Sequence, residues 1–317
     1  MEQRDRSTLS VYFDAGWETS NESVFQDYIR LTPNESGRWG KIKATIDSRD
    51  ADYIIVLNEP WETTDEERML FFCMEPPCLP ECNDWDRYNA LGKFPISELY
   101  FPQKWTFTHT YDDLKEMKPP KKSKDLSWVT SDKGKNMNNF ESLVRQSLLR
   151  TGIMKHRQKP GLSLPTDGHI LRMNFLDRLV SRFPDILDLY GRGDFQGEYY
   201  HGEIDDKWDG LVDYRYSLAI ENYHGPNYWS EKISEPLLAW CMPIYWGCTN
   251  LPEFLPENSY VSIDIENENA PKRVEEIVNS NLREQNIGAI AEARKQILDR
   301  YQIWPTIQQC LTQLDAI

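Results

Sequence analysis

Short apolar runs closed by proline or glycine recur along this chain, and they limit what it can fold into more than any other feature. DADYIIVLNEP (50–60), RMLFFCMEPP (68–77) and MPIYWG (242–247) each hold a handful of consecutive apolar residues without polar alternation. A strand with one wet face alternates; a strand that reads apolar throughout is buried on both faces, which is the situation of a parallel sheet covered by helices. LSVYFDAGW (9–17) is a further strand, and NESVFQDYIRL (21–31) after it has helical spacing. The first half is therefore expected to be α/β.

A second set of the same kind follows a proline- and lysine-rich stretch, LKEMKPPKKSKD (114–125), which cannot continue a helix and offers nothing to bury. LSWVTSD (126–132) predicts a strand. ILRMNFLDRLVSRFP (170–184) predicts a helix with Leu171, Phe175, Leu179 and Phe183 on its core face. ILDLYGRG, YSLAIEN, MPIYWG and SYVSIDI predict four more strands, with a helix around ISEPLLAW (233–240). The expected organisation is an N-terminal Rossmann-like domain over 1–119, a second over 120–296 with a basic insertion at 133–160, and a C-terminal helix over 297–317 packing back on the first domain. That helix, in AEARKQILDRYQIWPTIQQCLTQL (291–314), is expected to break at Pro305. Two α/β halves joined by a linker imply a cleft between them.

The formal charge of −15 argues against a nucleic-acid partner, since phosphates would be repelled. The exception is local: from Lys133 to Pro160 seven Lys or Arg stand against the single acid Glu141. Phe140, Leu143, Val144 and Leu148 there keep helical register, which suits docking on the second domain, with peripheral contact to an anionic membrane surface as the competing reading. No stretch approaches the roughly 18 apolar residues of a membrane helix. The charged start, MEQRDRSTLSVYF, lacks a secretory core, so the chain is read as soluble and cytoplasmic, with the sequons at Asn21 and Asn34 unglycosylated. Cys73, Cys78 and Cys82 have no histidine nearby to complete a zinc site and are read as reduced thiols.

Two motif-like features are given plain structural readings. Gly191, Gly193 and Gly197 are spaced G-x-G-x-x-x-G ahead of a polar, acidic loop, which fits a turn and not a dinucleotide fingerprint. Asp50 and Asp52 form a D-x-D that precedes a strand, and are read as solvated surface. No metal site is expected.

ENYHGPNYWSEKISEPLLAWCMPIYWG (221–247) is different. The strand before it ends on Glu221 and Asn222, at a carboxyl edge, where open parallel sheets bind ligands. A loop brings His224 and Tyr228. Glu231 and Lys232 then open a helix whose Ile233, Leu237, Trp240 and Cys241 face the core. A lysine beside unpaired helix-terminal amides concentrates positive potential, which suits an anion such as a diphosphate; a solvated lysine where a helix happens to begin is the competing reading.

These residues carry a resemblance. YRYSLAIENYHGPNYWSEKISEPLLAWCMPIYWGCTNLPEFLPENSYVSID (214–264) resembles the donor-binding core of glycosyltransferase family 10, the α-1,3-fucosyltransferases: a strand ending E-N, a Tyr-x-x-E-K helix start, then P-I-Y-W-G. LSWVTSD, LRMNFLDRL, DLYGRG and FFCMEPP resemble family segments in the same order. The resemblance implies the GT-B fold, two Rossmann-like domains facing across a cleft, and an inverting transferase that moves L-fucose from GDP-fucose to a hydroxyl of a glycan acceptor without an essential divalent ion. It places Arg172 and Lys232 on the donor diphosphate, Asn222, Tyr228 and Glu231 along the nucleotide-sugar pocket with Glu221 and His224 as additional candidates, and Glu75 as general base. About 30 extra residues before Arg172 depart from the family pattern, and Pro236 calls for a late helix start or a kink. Another nucleotide sugar, or a binding protein without turnover, are the alternatives.

Overall fold

The computed structural model describes residues 8–15, 21–57, 66–72, 102–132, 168–314 and 317. The chain divides into two compact units, the first made of Met1–Lys104, His109–Lys118 and Lys295–Ile317, the second of Trp105–Thr108 and Pro119–Arg294. Among the described residues no helix is long and apolar enough to cross a membrane.

In the first unit, β1 (Leu9–Ala15), β2 (Arg38–Trp39), β3 (Ile42–Ala44), β4 (Tyr53–Leu57) and β5 (Met69–Phe72) form one sheet in the order β2-β3-β1-β4-β5. All pairs are parallel except β2 with β3. The uninterrupted apolar runs are its centre: Ile54, Ile55, Val56 and Leu57 are wholly buried, as expected of strands covered on both sides. Phe13 of β1 stacks at 4.2 Å on Tyr28 of α1 (Asn21–Ile29) and meets Trp304 edge-on at 5.3 Å; α2 (Tyr111–Glu116) belongs to the same unit. Trp304 belongs to the C-terminal helix, Ile303–Gln313, and its indole donates to the Tyr28 carbonyl at 2.8 Å. The helical break expected at Pro305 falls at Gln302 instead, where ψ turns to 167°. Pro305 sits in the first turn of the new helix, where a missing N–H leaves no bond unmade.

In the second unit, β6 (Lys124–Val129), β7 (Asp188–Tyr190), β8 (Tyr214–Gly225), β9 (Met242–Cys248) and β10 (Val261–Ser262) run in the order β10-β9-β8-β6-β7, every pair parallel. The chain builds from β6 outward to β7, then crosses back to lay β8 on the other side of β6. Strand order therefore reverses between β6 and β8, and in open parallel sheets the crevice beyond the carboxyl ends at such a point is where ligands bind. SYVSIDI contributes only the two residues of β10.

The helix α3 (Gly168–Arg182) buries Gly168, Arg172, Phe175, Leu176 and Leu179. Its inner face is rotated from the expected stripe: Leu171 and Phe183 are half-buried, and Arg172 takes a core-facing position. The glycines after β7 lie in a loop of bends and turns, with no helix directly after them. Each unit is by itself a Rossmann-like α/β domain built on a largely parallel sheet.

Candidate functional site

Pairing between β8 and β9 proceeds from Tyr216–Met242 to Ile220–Trp246 and then jumps to Gly225–Cys248. Four residues of β8, Glu221 to His224, thus oppose the single Gly247 of β9, an irregularity of the kind that re-aims side chains at sheet edges. A Cβ at Gly247 would come within 2.4 Å of Glu221 Cγ, so glycine is what lets Glu221 turn inward here. Glu221 is wholly buried. Its Oε1 accepts from the Ser230 backbone N–H at 2.8 Å and its Oε2 from the Ser230 hydroxyl at 2.7 Å. Burial pushes the Glu221 carboxyl above the ordinary glutamate range, against the pull of the Lys232 charge and the Ser230 hydrogen bonds.

Ser230 caps α4 (Glu231–Leu238). The helix starts at Glu231, so Pro236 does not delay it: only the carbonyl of Lys232 loses its i+4 donor, and the helix ends two residues later. Ile233, Leu237, Trp240 and Cys241 are buried as the spacing predicts. Lys232 Nζ lies 3.1 Å from Glu231 Oε1, 3.2 Å from the Ser230 hydroxyl and 3.6 Å from Glu221 Oε2. Burial opposes its charge, but Glu231 and Glu221 outweigh that and hold its pKa above the usual lysine value. Glu231 is also resisted by burial, yet Lys232 and Lys207 bring it down to about 2.

Arg172 joins this cluster from α3. Its Nη1 donates to Asn222 Oδ1 at 2.7 Å and its Nη2 to the Ser131 carbonyl at 2.6 Å, so the guanidinium spans the carboxyl ends of β8 and β6 at the reversal point. α3 can come this close because it begins with Gly168, whose Cβ would stand 2.3 Å from the Asn222 carbonyl oxygen. Arg172 is near enough to Lys232 to disfavour its proton, so two cations are held together at one sheet edge. That combination attracts an anion with spread-out charge; an arginine and a lysine on helix-start amides suit a diphosphate.

The remaining sequence candidates lie around this core. Asn222 is half-buried and serves Arg172; Tyr228 is buried, edge-on to Tyr223 at 5.9 Å; His224 is exposed and stacks on Trp246 at 4.9 Å. Glu75, Cys73, Cys78, Cys82 and the basic segment 133–160 fall outside the described residues. Asp52 is not plain solvated surface: its Oδ2 accepts from the N–H and hydroxyl of Ser10, both at 2.8 Å, tying β4 to β1. Among the described residues no cluster of three His, Cys, Asp or Glu could hold a metal. A hollow of about 550 Å³ beside α3 is lined by Asp177, Arg178, Ser181, Arg182, Glu268 and Pro271, none of them a sequence candidate.

Sequence reasoning missed Lys207 and Glu235. Glu235 is buried on α4; its Oε1 accepts from the N–H and hydroxyl of Thr106, both at 2.7 Å, and its Oε2 takes Lys207 Nζ at 3.1 Å. Lys207 sits in EIDDKWDG, where it reads as one solvated charge among acids, and nothing local signals either partner.

A parallel α/β unit with a cationic, carboxylate-braced cluster at its strand reversal has the make-up of an anion-binding site. Residues 166–281, within this unit, match the family model described as "Glycosyltransferase family 10 (fucosyltransferase) C-term". Solved structures similar to the chain include an α1,3-fucosyltransferase with GDP, at 16% identity over 96% of this chain and 94% of that one, TM-score 0.45. Another is an α1,3-fucosyltransferase with GDP-fucose, at 16% identity over 96% and 94%, TM-score 0.42. A third is T4 phage β-glucosyltransferase, at 11% identity over 97% and 100%, TM-score 0.46.

Proposed function

We propose that the protein transfers L-fucose from GDP-fucose to a hydroxyl of a glycan acceptor, with inversion at the anomeric carbon. The observation that carries this reading is the pairing of Arg172 and Lys232 at the reversal of strand order, within the segment that matches family 10. In a single displacement the sugar–phosphate bond breaks as the acceptor oxygen attacks, and negative charge collects on the departing diphosphate. Lys232, kept protonated by Glu231 and Glu221, and Arg172 supply preorganised positive potential for that charge. Asn222, Tyr228 and Glu231 line the nucleotide-sugar site, with Glu221 and His224 beside them. The acceptor hydroxyl gives its proton to a base, and Glu75, which follows the strand β5 in sequence, takes that role. With two cations and helix-start amides on the diphosphate, a divalent ion is not required for turnover.

The test is transfer from GDP-fucose in the presence of EDTA, by the wild type and Glu75→Gln. The wild type is expected to turn over, and the glutamine variant, which keeps shape without basicity, to lose about 10²-fold while its GDP affinity stays within a few-fold. Reversible loss of wild-type turnover in EDTA overturns the metal-independent mechanism. Near-normal turnover by Glu75→Gln moves the base elsewhere, and a thermal shift with UDP but not GDP replaces the donor.

A further inference from the structure

We propose that Lys207 is a positioning residue of the donor site, acting through Glu231. The inference rests on reading the start of α4 as that site. Glu231 is an anion in a pocket whose other groups attract anions, so it cannot serve the diphosphate directly. A carboxylate in that place accepts hydrogen bonds from hydroxyl or N–H groups of the nucleoside or sugar. To do so it must stay ionised beside a second buried carboxylate, Glu221, and keep one orientation.

The geometry meets both needs. Lys207 Nζ lies 4.0 Å from Glu231 Oε1, and Lys232 Nζ approaches the same oxygen at 3.1 Å. Two ammonium groups on the same side of the carboxylate, one in hydrogen-bond contact and one at ion-pair distance, restrict its rotation and keep it ionised. Lys207 is itself fixed: its second contact is Glu235 Oε2 at 3.1 Å, and Glu235 is buried and anchored on Thr106. The short helix Lys207–Gly210 that carries it is capped by Asp206, whose other oxygen holds Thr108, while Trp208 packs edge-on against Phe107 at 5.0 Å. The segment 105–108 and the 206–208 turn thus form a seat for Lys207. Glu235 and Glu231 more than offset the burial that opposes its charge, so the ammonium persists and Glu231 stays low.

The simpler account, that Lys207 only neutralises Glu235, is separated by a double-mutant cycle read as GDP affinity by calorimetry. Lys207→Met is expected to weaken GDP binding about tenfold in the wild-type background and less than about twofold in Glu231→Gln, because its effect is routed through that carboxylate. Lys207→Arg is expected to restore most of the loss. With one ammonium gone the Glu231 pKa rises, so the ratio of Lys207→Met to wild-type affinity is expected to worsen as pH falls from about 7.5 to about 5; protonation of GDP itself cancels in the ratio. Equal losses in both backgrounds, or no loss, overturn the inference, as does failure of both Lys207→Met and Lys207→Gln to fold while Glu231→Gln folds. A wild type that does not bind GDP at all overturns the donor reading and this inference with it; a flat cycle on a wild type that binds overturns only the role of Lys207.

Discussion

The two ends of α4 are built from the same kinds of residue and reach opposite solutions. At the carboxyl end, the carbonyl of Leu238 accepts from Arg294, that of Ala239 from Lys122 and that of Trp240 from Arg283, at 3.0, 2.6 and 2.8 Å. The N–H groups of Trp240 and Cys241 return to the carbonyls of Leu237 and Pro236, a Schellman closure with Trp240 at φ 62° where glycine is usual. Three cations at the negative pole of a helix, each on a carbonyl, are what the dipole favours. At the amino end a lysine stands at the positive pole, where the dipole opposes it, and three carboxylates and a second lysine are needed to hold it. An arrangement in which each charge answers a backbone group stabilises the fold; one that concentrates charge against the dipole is organised for something that binds there.

That contrast predicts where substitutions act. The largest effect is expected from Lys232→Ala, which should weaken GDP binding by roughly 1.5–3 kcal/mol, the scale of a charge-assisted hydrogen bond. Denaturant unfolding should register a loss too, because Glu231 is left without its nearest cation. Calorimetry and equilibrium melts on one preparation decide it: if stability falls and GDP affinity does not, the amino end is as structural as the other and the contrast collapses.

The uneven legibility of α4 in the sequence has the same physical origin. Periodicity exposed Ile233, Leu237, Trp240 and Cys241 as core-facing, because apolar spacing is local information. The buried runs of β4 and β5 were legible for that reason too. Arg172 was identified by resemblance alone, since a charged residue on a buried helix face contradicts the expected stripe; only the approach of α3 to β8 at Gly168 explains its place. Lys207 and Glu235 were illegible, their meeting depending on Thr106, 129 residues from Glu235. Lys122 was assigned to a linker with nothing to bury, whereas its ammonium serves a carbonyl 117 residues away.

Lys122 gives the second prediction. Its Nζ donates to the carbonyls of Val212 and Ala239 at 2.7 and 2.6 Å, and burial lowers its pKa, so it is held in place at some cost. Lys122→Met keeps the apolar stem and removes the donor, leaving those carbonyls unanswered. Stability is expected to fall by about 1–2 kcal/mol in a denaturant melt, with GDP affinity unchanged within error. Weakened GDP binding in a variant that melts normally would mean that the carboxyl end also reports to the ligand.

The smallest effect is expected from Glu221→Gln, and its diagnostic part is a pH dependence. Burial raises the Glu221 pKa, so the folded protein holds this proton more firmly than the unfolded chain does. Its contribution to stability is therefore fully present below the ordinary glutamate pKa, 4.5, and is lost as pH rises through the folded value. Glu231 has the opposite sign: lowered to about 2, it adds stability above 4.5 that disappears on acidification toward 2. The two windows meet near 4.5 without overlapping, so melts on its neutral side isolate Glu221. Glu221→Gln, which cannot titrate, should lose a constant amount from its poorer match to the two Ser230 donors, plus a part that shrinks as pH rises toward neutrality. One proton limits that changing part to a slope of about 1.4 kcal/mol per pH unit. If the gap between wild type and variant widens from acid to neutral pH instead, Glu221 is ionised throughout and bound to Lys232 as an ordinary ion pair. The amino end of α4 would then be stabilised in the same way as the carboxyl end.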